Sequence, residues 1–145
     1  MSNRIIMGDT APDAYKAMLG LEKYLTTTSI QPLHQEMIRI RASQINGCAY
    51  CVDKHTTDAR KRGETERRIN ALTVWRETPF FTEEEKAILT LTEAVTLITH
   101  GVPDELYQQA AKTLGEKLTA EVIMAAITIN AWNRIGITTG MLPTL

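Results

Sequence analysis

Apolar residues recur at intervals of three and four along almost the whole chain, and no stretch alternates apolar and polar residues with β-branched enrichment. A period near 3.6 can bury one face of a helix but cannot keep one face of a strand dry. The chain is therefore expected to be all-α, a bundle of about six to seven helices with no sheet. Helix punctuation divides it. A first amphipathic segment covers about Thr10 to Leu25, and Pro32 opens a second that runs to the Asn46-Gly47 break. A third starts near Cys48 and stops at Arg60-Lys61-Arg62-Gly63, where cations in a last turn precede a glycine. Glu64 to Trp75 reads as a shorter helix, and Thr82 with Glu85 reads as a capping box for the next. In that helix Ile88, Leu91, Ala94, Val95 and Ile98 form one stripe. Pro103 opens a helix to about Leu114, and Thr119 is expected to cap the last long one. There Val122, Ile123, Ala126, Ile127, Ile129 and Ala131 surround the axis, as in a helix buried within the domain or between subunits.

At 145 residues the chain fits one domain, 1–145, large enough to bury a core unaided. A net charge of −1 offers no basic surplus, which argues against nucleic acid and anionic membranes as partners. The start of the chain lacks the apolar core of a secretory signal, and the longest apolar run, Val122 to Ile127, cannot span a bilayer. The expectation is a cytoplasmic protein. In a reducing compartment, two cysteines three residues apart are more often redox-active or metal-binding than a structural staple.

Those two are Cys48 and Cys51, followed at the next turn by His55. At about 100° per residue all three share a helix face, and residues three apart have Cα atoms roughly 5–6 Å apart, within reach of a disulfide. A helix N-terminus, a CxxC motif and a nearby imidazole each lower a thiol pKa, from about 8.5 towards 3.5–7.5. Glu36 lies on the stripe with Leu33, Met37, Ile40 and Gln44 of the preceding helix. A carboxylate there needs a partner, and desolvation alone would raise its pKa enough for a proton carrier near neutrality, with the dithiol as its expected partner. Glu36, Cys48, Cys51 and His55 could also ligate zinc, but both thiolates within one helical turn aim poorly at one ion. The favoured assignment makes all four catalytic, with no metal and no cofactor.

The stretch from Glu36 to His55 resembles the alkylhydroperoxidase D branch of the carboxymuconolactone decarboxylase superfamily, in which a glutamate is followed twelve residues on by CxxC and four further by histidine. The runs Ser43-Gln-Ile-Asn-Gly-Cys-Ala-Tyr-Cys51, Trp75-Arg-Glu, Phe81-Thr-Glu-Glu-Glu and Asn130-Ala-Trp-Asn-Arg134 extend the similarity from about Pro32 to Gly140. The resemblance implies a thiol peroxidase that is a homo-oligomer, a trimer or hexamer. It implies that Cys51 attacks an organic hydroperoxide or hydrogen peroxide, Cys48 resolves the product as a disulfide, and Glu36 and His55 relay protons. A dithiol reductant, in some members a dihydrolipoyl carrier protein, would restore the thiols. Two features pull the other way. The helix dipole favours Cys48 as the lower-pKa thiol, and Tyr50 stands where the characterised peroxidase has a histidine between its cysteines. The alternative is a thiol-disulfide redox sensor with little turnover. Lactone decarboxylation has no need of the cysteines.

Elsewhere, Arg60, Lys61, Arg62, Arg67 and Arg68 read as a solvated face, and His34 and His100 as capping or surface residues. Asn130, Trp132, Asn133 and Arg134, polar on an apolar helix, are expected to line the pocket or a subunit interface.

Overall fold

The computed structural model describes residues 4–145, among which there are α- and 3-10 helices and no strand. The α-helices are α1 (Met7–Thr10), α2 (Pro12–Leu25), α3 (Pro32–Asn46), α4 (Ala49–Lys61), α5 (Glu66–Ala71), α6 (Glu83–Thr96), α7 (Asp104–Leu114) and α8 (Glu116–Thr139). Helix α3 is the hub and packs on α4, α6 and α8. It can do so because it has two apolar faces rather than the single stripe expected. Ile38 and Ala42 join Ile88, Leu91, Val122, Ala126 and Ile129 in one core. Met37 and Ile40 join Ile69, Leu72, Trp75, Phe81 and Leu89 in another. Leu33 and Gln44 are only half-buried.

Several boundaries follow directly from capping chemistry. Thr82 and Glu85 form the reciprocal box, with the Thr82 hydroxyl accepting from Glu85 N–H at 3.2 Å and the Glu85 carboxylate accepting from Thr82 N–H at 2.8 Å. At the end of α3, Gly47 takes a left-handed φ of 72°, Cys48 N–H donates to Ser43 C=O at 3.0 Å and Gly47 N–H to Gln44 C=O. This is a Schellman turn, and glycine is the residue that adopts it without strain. The chain leaves it pointing into α4, with Cys48 as the N-cap.

The first amphipathic segment is α2, opened by Pro12 and preceded by the short α1. Three expectations need correction. The segment expected as one helix from Glu64 to Trp75 is α5 followed by a 3-10 helix, Leu72–Glu77, kinked at Val74 (φ −129°). That 3-10 winding lets Leu72 and Trp75, three apart, bury side by side. Thr119 is not a cap: α8 starts at Glu116 after Gly115, and the Thr119 hydroxyl donates to Gly115 C=O within the helix at 2.7 Å. Finally, α8 is not buried all round. Val122, Ala126, Ile129, Asn133 and Gly136 face inward as one line, while Ile127 and Ile137 are exposed.

Candidate active site

The Schellman turn delivers Cys48 to the N-terminus of α4, where its Sγ accepts from Cys51 N–H at 3.4 Å. A sulfur in that position sits at the positive end of the helix, which favours its thiolate after reduction. Here Cys48 and Cys51 are joined as a disulfide with Cα atoms 5.3 Å apart, the spacing expected of one helical turn. Both are nearly inaccessible, at 2% and 5% exposure. Helix α8 crosses them at Gly136. An ideal Cβ there would stand 3.3 Å from Cys48 Sγ, 3.8 Å from Cys51 Sγ and 3.9 Å from Met141 Sδ, so any side chain at this position would press on Cys48.

Beside the disulfide lies a cavity of about 1140 Å³. Cys51 forms part of its wall, together with Tyr50, His55 and Glu36, and Cys48 does not. Ile5, Ile6, Leu19, Trp132, Ile135 and Met141 make much of the remaining wall apolar, while Arg39, Lys54, Asp58 and Arg62 charge one side. The structure therefore distinguishes the two sulfurs by access: Cys51 faces the cavity, and Cys48 is the capped one.

Glu36 is 1% exposed, as its place on the stripe required, but its partner is not the dithiol. Its Oε2 lies 3.0 Å from His55 Nδ1, and its Oε1 accepts from Arg39 Nη1 at 3.0 Å, with Arg62 Nε 3.5 Å away. Burial pushes the carboxyl pKa up, yet the hydrogen bond with His55 and the charges of Arg39 and His55 outweigh it and hold the group below its ordinary value. Glu36 is thus ionised at neutral pH. The raised pKa expected of a desolvated acid is not found, and an ionised Glu36 places the His55 proton on Nδ1 and leaves Nε2 to accept.

Arg39 extends the cluster. Its Nη2 donates to Glu22 Oε2 at 2.9 Å, and Glu22 Oε1 accepts from the Trp132 indole N–H at 3.0 Å. Trp132 meets Tyr15 edge-to-face, with centroids 5.4 Å apart. Sequence reasoning missed Glu22, Arg39 and Gly136. Arg39 was detectable as the cation three residues after a buried acid, whereas Glu22 and Gly136 carry no local signal. Among the described residues, Glu36, His55 and Asp58 bring donor atoms within 4.8 Å of one another. Arg39 already occupies Glu36, and Lys54 Nζ lies 2.8 Å from Asp58 Oδ2, so a cation would have to displace both.

The remaining polar residues sort differently from expectation. Asn130 and Asn133 brace α8 to α3: their Oδ1 atoms accept from Asn46 Nδ2 at 2.8 and 2.9 Å, and Asn133 Nδ2 donates to Ser43 Oγ at 2.9 Å. Trp132 lines the cavity, and Arg134 bonds to its own helix at Asn130 C=O. The arginine cluster is not uniformly solvated, because Arg62 reaches Glu36 and Arg68 pairs with Glu64 and Glu85. His34 is largely buried against Glu84 and Glu85, whereas His100 is exposed.

Comparison with known proteins agrees with this geometry. The sequence model of the carboxymuconolactone decarboxylase family matches residues 12–94. The uncharacterized protein YdfG of Bacillus subtilis (strain 168) is 46% identical over 141 residues, 97% of this chain and 96% of that one. A crystal structure from Agrobacterium tumefaciens, of a protein of unknown function described as a putative antioxidant defence protein AhpD, superposes with a TM-score of 0.94 at 35% identity and full coverage of both chains. The alkylhydroperoxidase AhpD core of a peroxidase-related protein from Ralstonia eutropha JMP134 shares the fold at a TM-score of 0.81 and 20% identity, covering 95% of this chain and 74% of that one. This chain belongs to the carboxymuconolactone decarboxylase family, in its alkylhydroperoxidase D-like branch.

Proposed function

We propose that the protein is a dithiol-dependent hydroperoxide reductase in which Cys51 is the attacking sulfur. The observation that carries this reading is that, of the two sulfurs, Cys51 opens on the cavity that also holds His55, itself oriented by an ionised Glu36. In the reduced protein His55 Nε2 would take the Cys51 proton. The thiolate attacks one peroxide oxygen, the O–O bond breaks, and the departing alkoxide takes that proton back to leave as an alcohol. Cys51 is then a sulfenic acid. Cys48, favoured as a thiolate at the cap, attacks the Cys51 sulfur, the S–O bond breaks, and the hydroxide leaves as water with the proton that Cys48 gave up. The disulfide that results corresponds to the state described above. An external dithiol reduces it, becoming a disulfide itself as two protons and two electrons pass to Cys48 and Cys51.

The volume and apolar wall suit an organic hydroperoxide better than hydrogen peroxide, whose small polar body leaves most of the cavity unfilled. A dithiol on a narrow arm is the matching reductant, because the disulfide is too buried for a flat protein surface to reach. A homo-oligomer belongs to the same proposal. The test is stopped-flow consumption of cumene hydroperoxide and hydrogen peroxide by the pre-reduced protein. Rapid single-turnover oxidation, faster with the organic peroxide and lost in Cys51→Ser, is expected; equal rates for wild type and variant would refute it. Disulfide formation without turnover in excess dithiol would favour a redox sensor, the reading to which Tyr50 on the cavity wall points.

A further inference from the structure

Glu36 is built to accept on both oxygens at once. Oε2 meets His55 on α4, and Oε1 meets Arg39, one turn further along α3. The two contacts fix the plane of the carboxylate, and with it the direction of the imidazole that Glu36 holds. Arg39 is itself fixed from the other side by Glu22 of α2, and Glu22 by the Trp132 indole of α8. Five side chains on four helices thus form one line from the apolar wall of the cavity to His55, which shares that cavity with Cys51. Arginine suits the middle of that line because its planar fork can meet two carboxylates at once, which a lysine ammonium on a flexible stem cannot match in geometry. The Arg39 side chain is 14% exposed and the Glu22 side chain 32%, so neither is a solvated surface pair of little consequence.

We propose that Arg39 and Glu22 are positioning residues for the thiol chemistry: they hold the Glu36 carboxylate turned toward His55 Nδ1 and tie that pair to Trp132 on the cavity wall. This inference rests on the peroxidase reading for its purpose but not for its test, which reads the thiol directly. The charged groups around Glu36 are Arg39 from its own helix, Lys54, His55, Asp58 and Arg62 from α4 and its C-cap, and Glu22 from α2 through Arg39. Helix α8 contributes the neutral Trp132. Removing Arg39 takes a positive charge from the wall of the cavity that Cys51 faces, which leaves the Cys51 thiolate less stabilised and moves its formation to higher pH.

The experiment is iodoacetamide alkylation of Cys51 in the reduced full-length protein against pH, with the modified cysteine identified by mass spectrometry. Arg39→Met is expected to move the acid limb up by about one pH unit, a roughly tenfold slower reaction on that limb. Arg39→Lys should restore the position of the limb, since the charge returns, while the rate stays several-fold low because the fork does not. Glu22→Gln keeps the Arg39 charge and should lower the rate without moving the limb. A profile unchanged in both Arg39→Met and Glu22→Gln, whatever their melting temperatures, overturns the proposal. If Arg39→Met does not fold, an unchanged rate in Glu22→Gln overturns it alone. Should wild type fail to turn over hydroperoxide while these profiles still shift, the peroxidase reading falls and the positioning role stands.

Discussion

Gly136→Ala adds a single methyl at the point where α8 meets the two sulfurs, and its cost can be worked from the clearances. The new carbon would lie 3.3 Å from Cys48 Sγ, a few tenths of an ångström inside comfortable contact, and 3.8 Å from Cys51 Sγ. Overpacking of this kind costs roughly 1–3 kcal/mol. Against it, alanine in the interior of a helix is favoured over glycine by about 0.8–1 kcal/mol. The second offsets about half of the first, and a net loss of about 1 kcal/mol is expected in the oxidised protein, or a melting temperature lower by about 2–4 °C. Reduction changes the balance. Two unbonded sulfurs must separate, and a methyl 3.3 Å from Cys48 Sγ closes one side to that sulfur, so the destabilisation should be about 1–2 kcal/mol larger in the dithiol form. Urea denaturation of wild type and variant, each with and without excess dithiothreitol, measures both quantities. A variant more stable than wild type in both states, as at an open helical site, would refute the reasoning, as would equal losses in the two states.

Glu36→Gln keeps the shape but removes the charge that Arg39 and His55 face, and should cost about 2–4 kcal/mol at pH 7. Because the folded-state pKa of Glu36 lies below its ordinary value, its contribution is complete above that value and is lost as pH falls through the folded one. The stability gap between wild type and variant, followed by chemical denaturation, should therefore close on acidification below about pH 4; a gap that widens there would contradict an ionised Glu36. Asn133→Ala removes a fully buried side chain and strips Ser43 and Asn46 of a partner, so a loss of about 2–3 kcal/mol is expected, read by urea denaturation.

Local chemistry was legible in the sequence and long-range pairing was not. Pro32, Gly47 and the Thr82–Glu85 box mark helix ends through contacts within a few residues, and the structure puts them where those contacts require. The burial of Glu36 and the reach between Cys48 and Cys51 follow from helical geometry alone. The charge state of Glu36 does not, because burial raises its pKa while partners from other helices lower it, and only packing decides the balance. Arg62 reads as a solvent-facing cation until α4 folds against α3. Likewise, Thr119 resembles a cap because threonine favours such positions, yet Gly115 with φ 79° already starts α8.

Helix α3 carries Glu36 in its first turns and ends in the turn that launches Cys48, so one rigid rod sets the offset between the acid and the reactive helix. Each residue of that rod advances the azimuth by about 100° and the height by about 1.5 Å. Insertion or deletion of one residue anywhere between the two would swing the carboxylate away from His55 without disturbing a single bond in the CxxC turn. The interval from acid to first cysteine therefore behaves as a machined dimension, tolerant of substitution along its outer side and intolerant of any change in count.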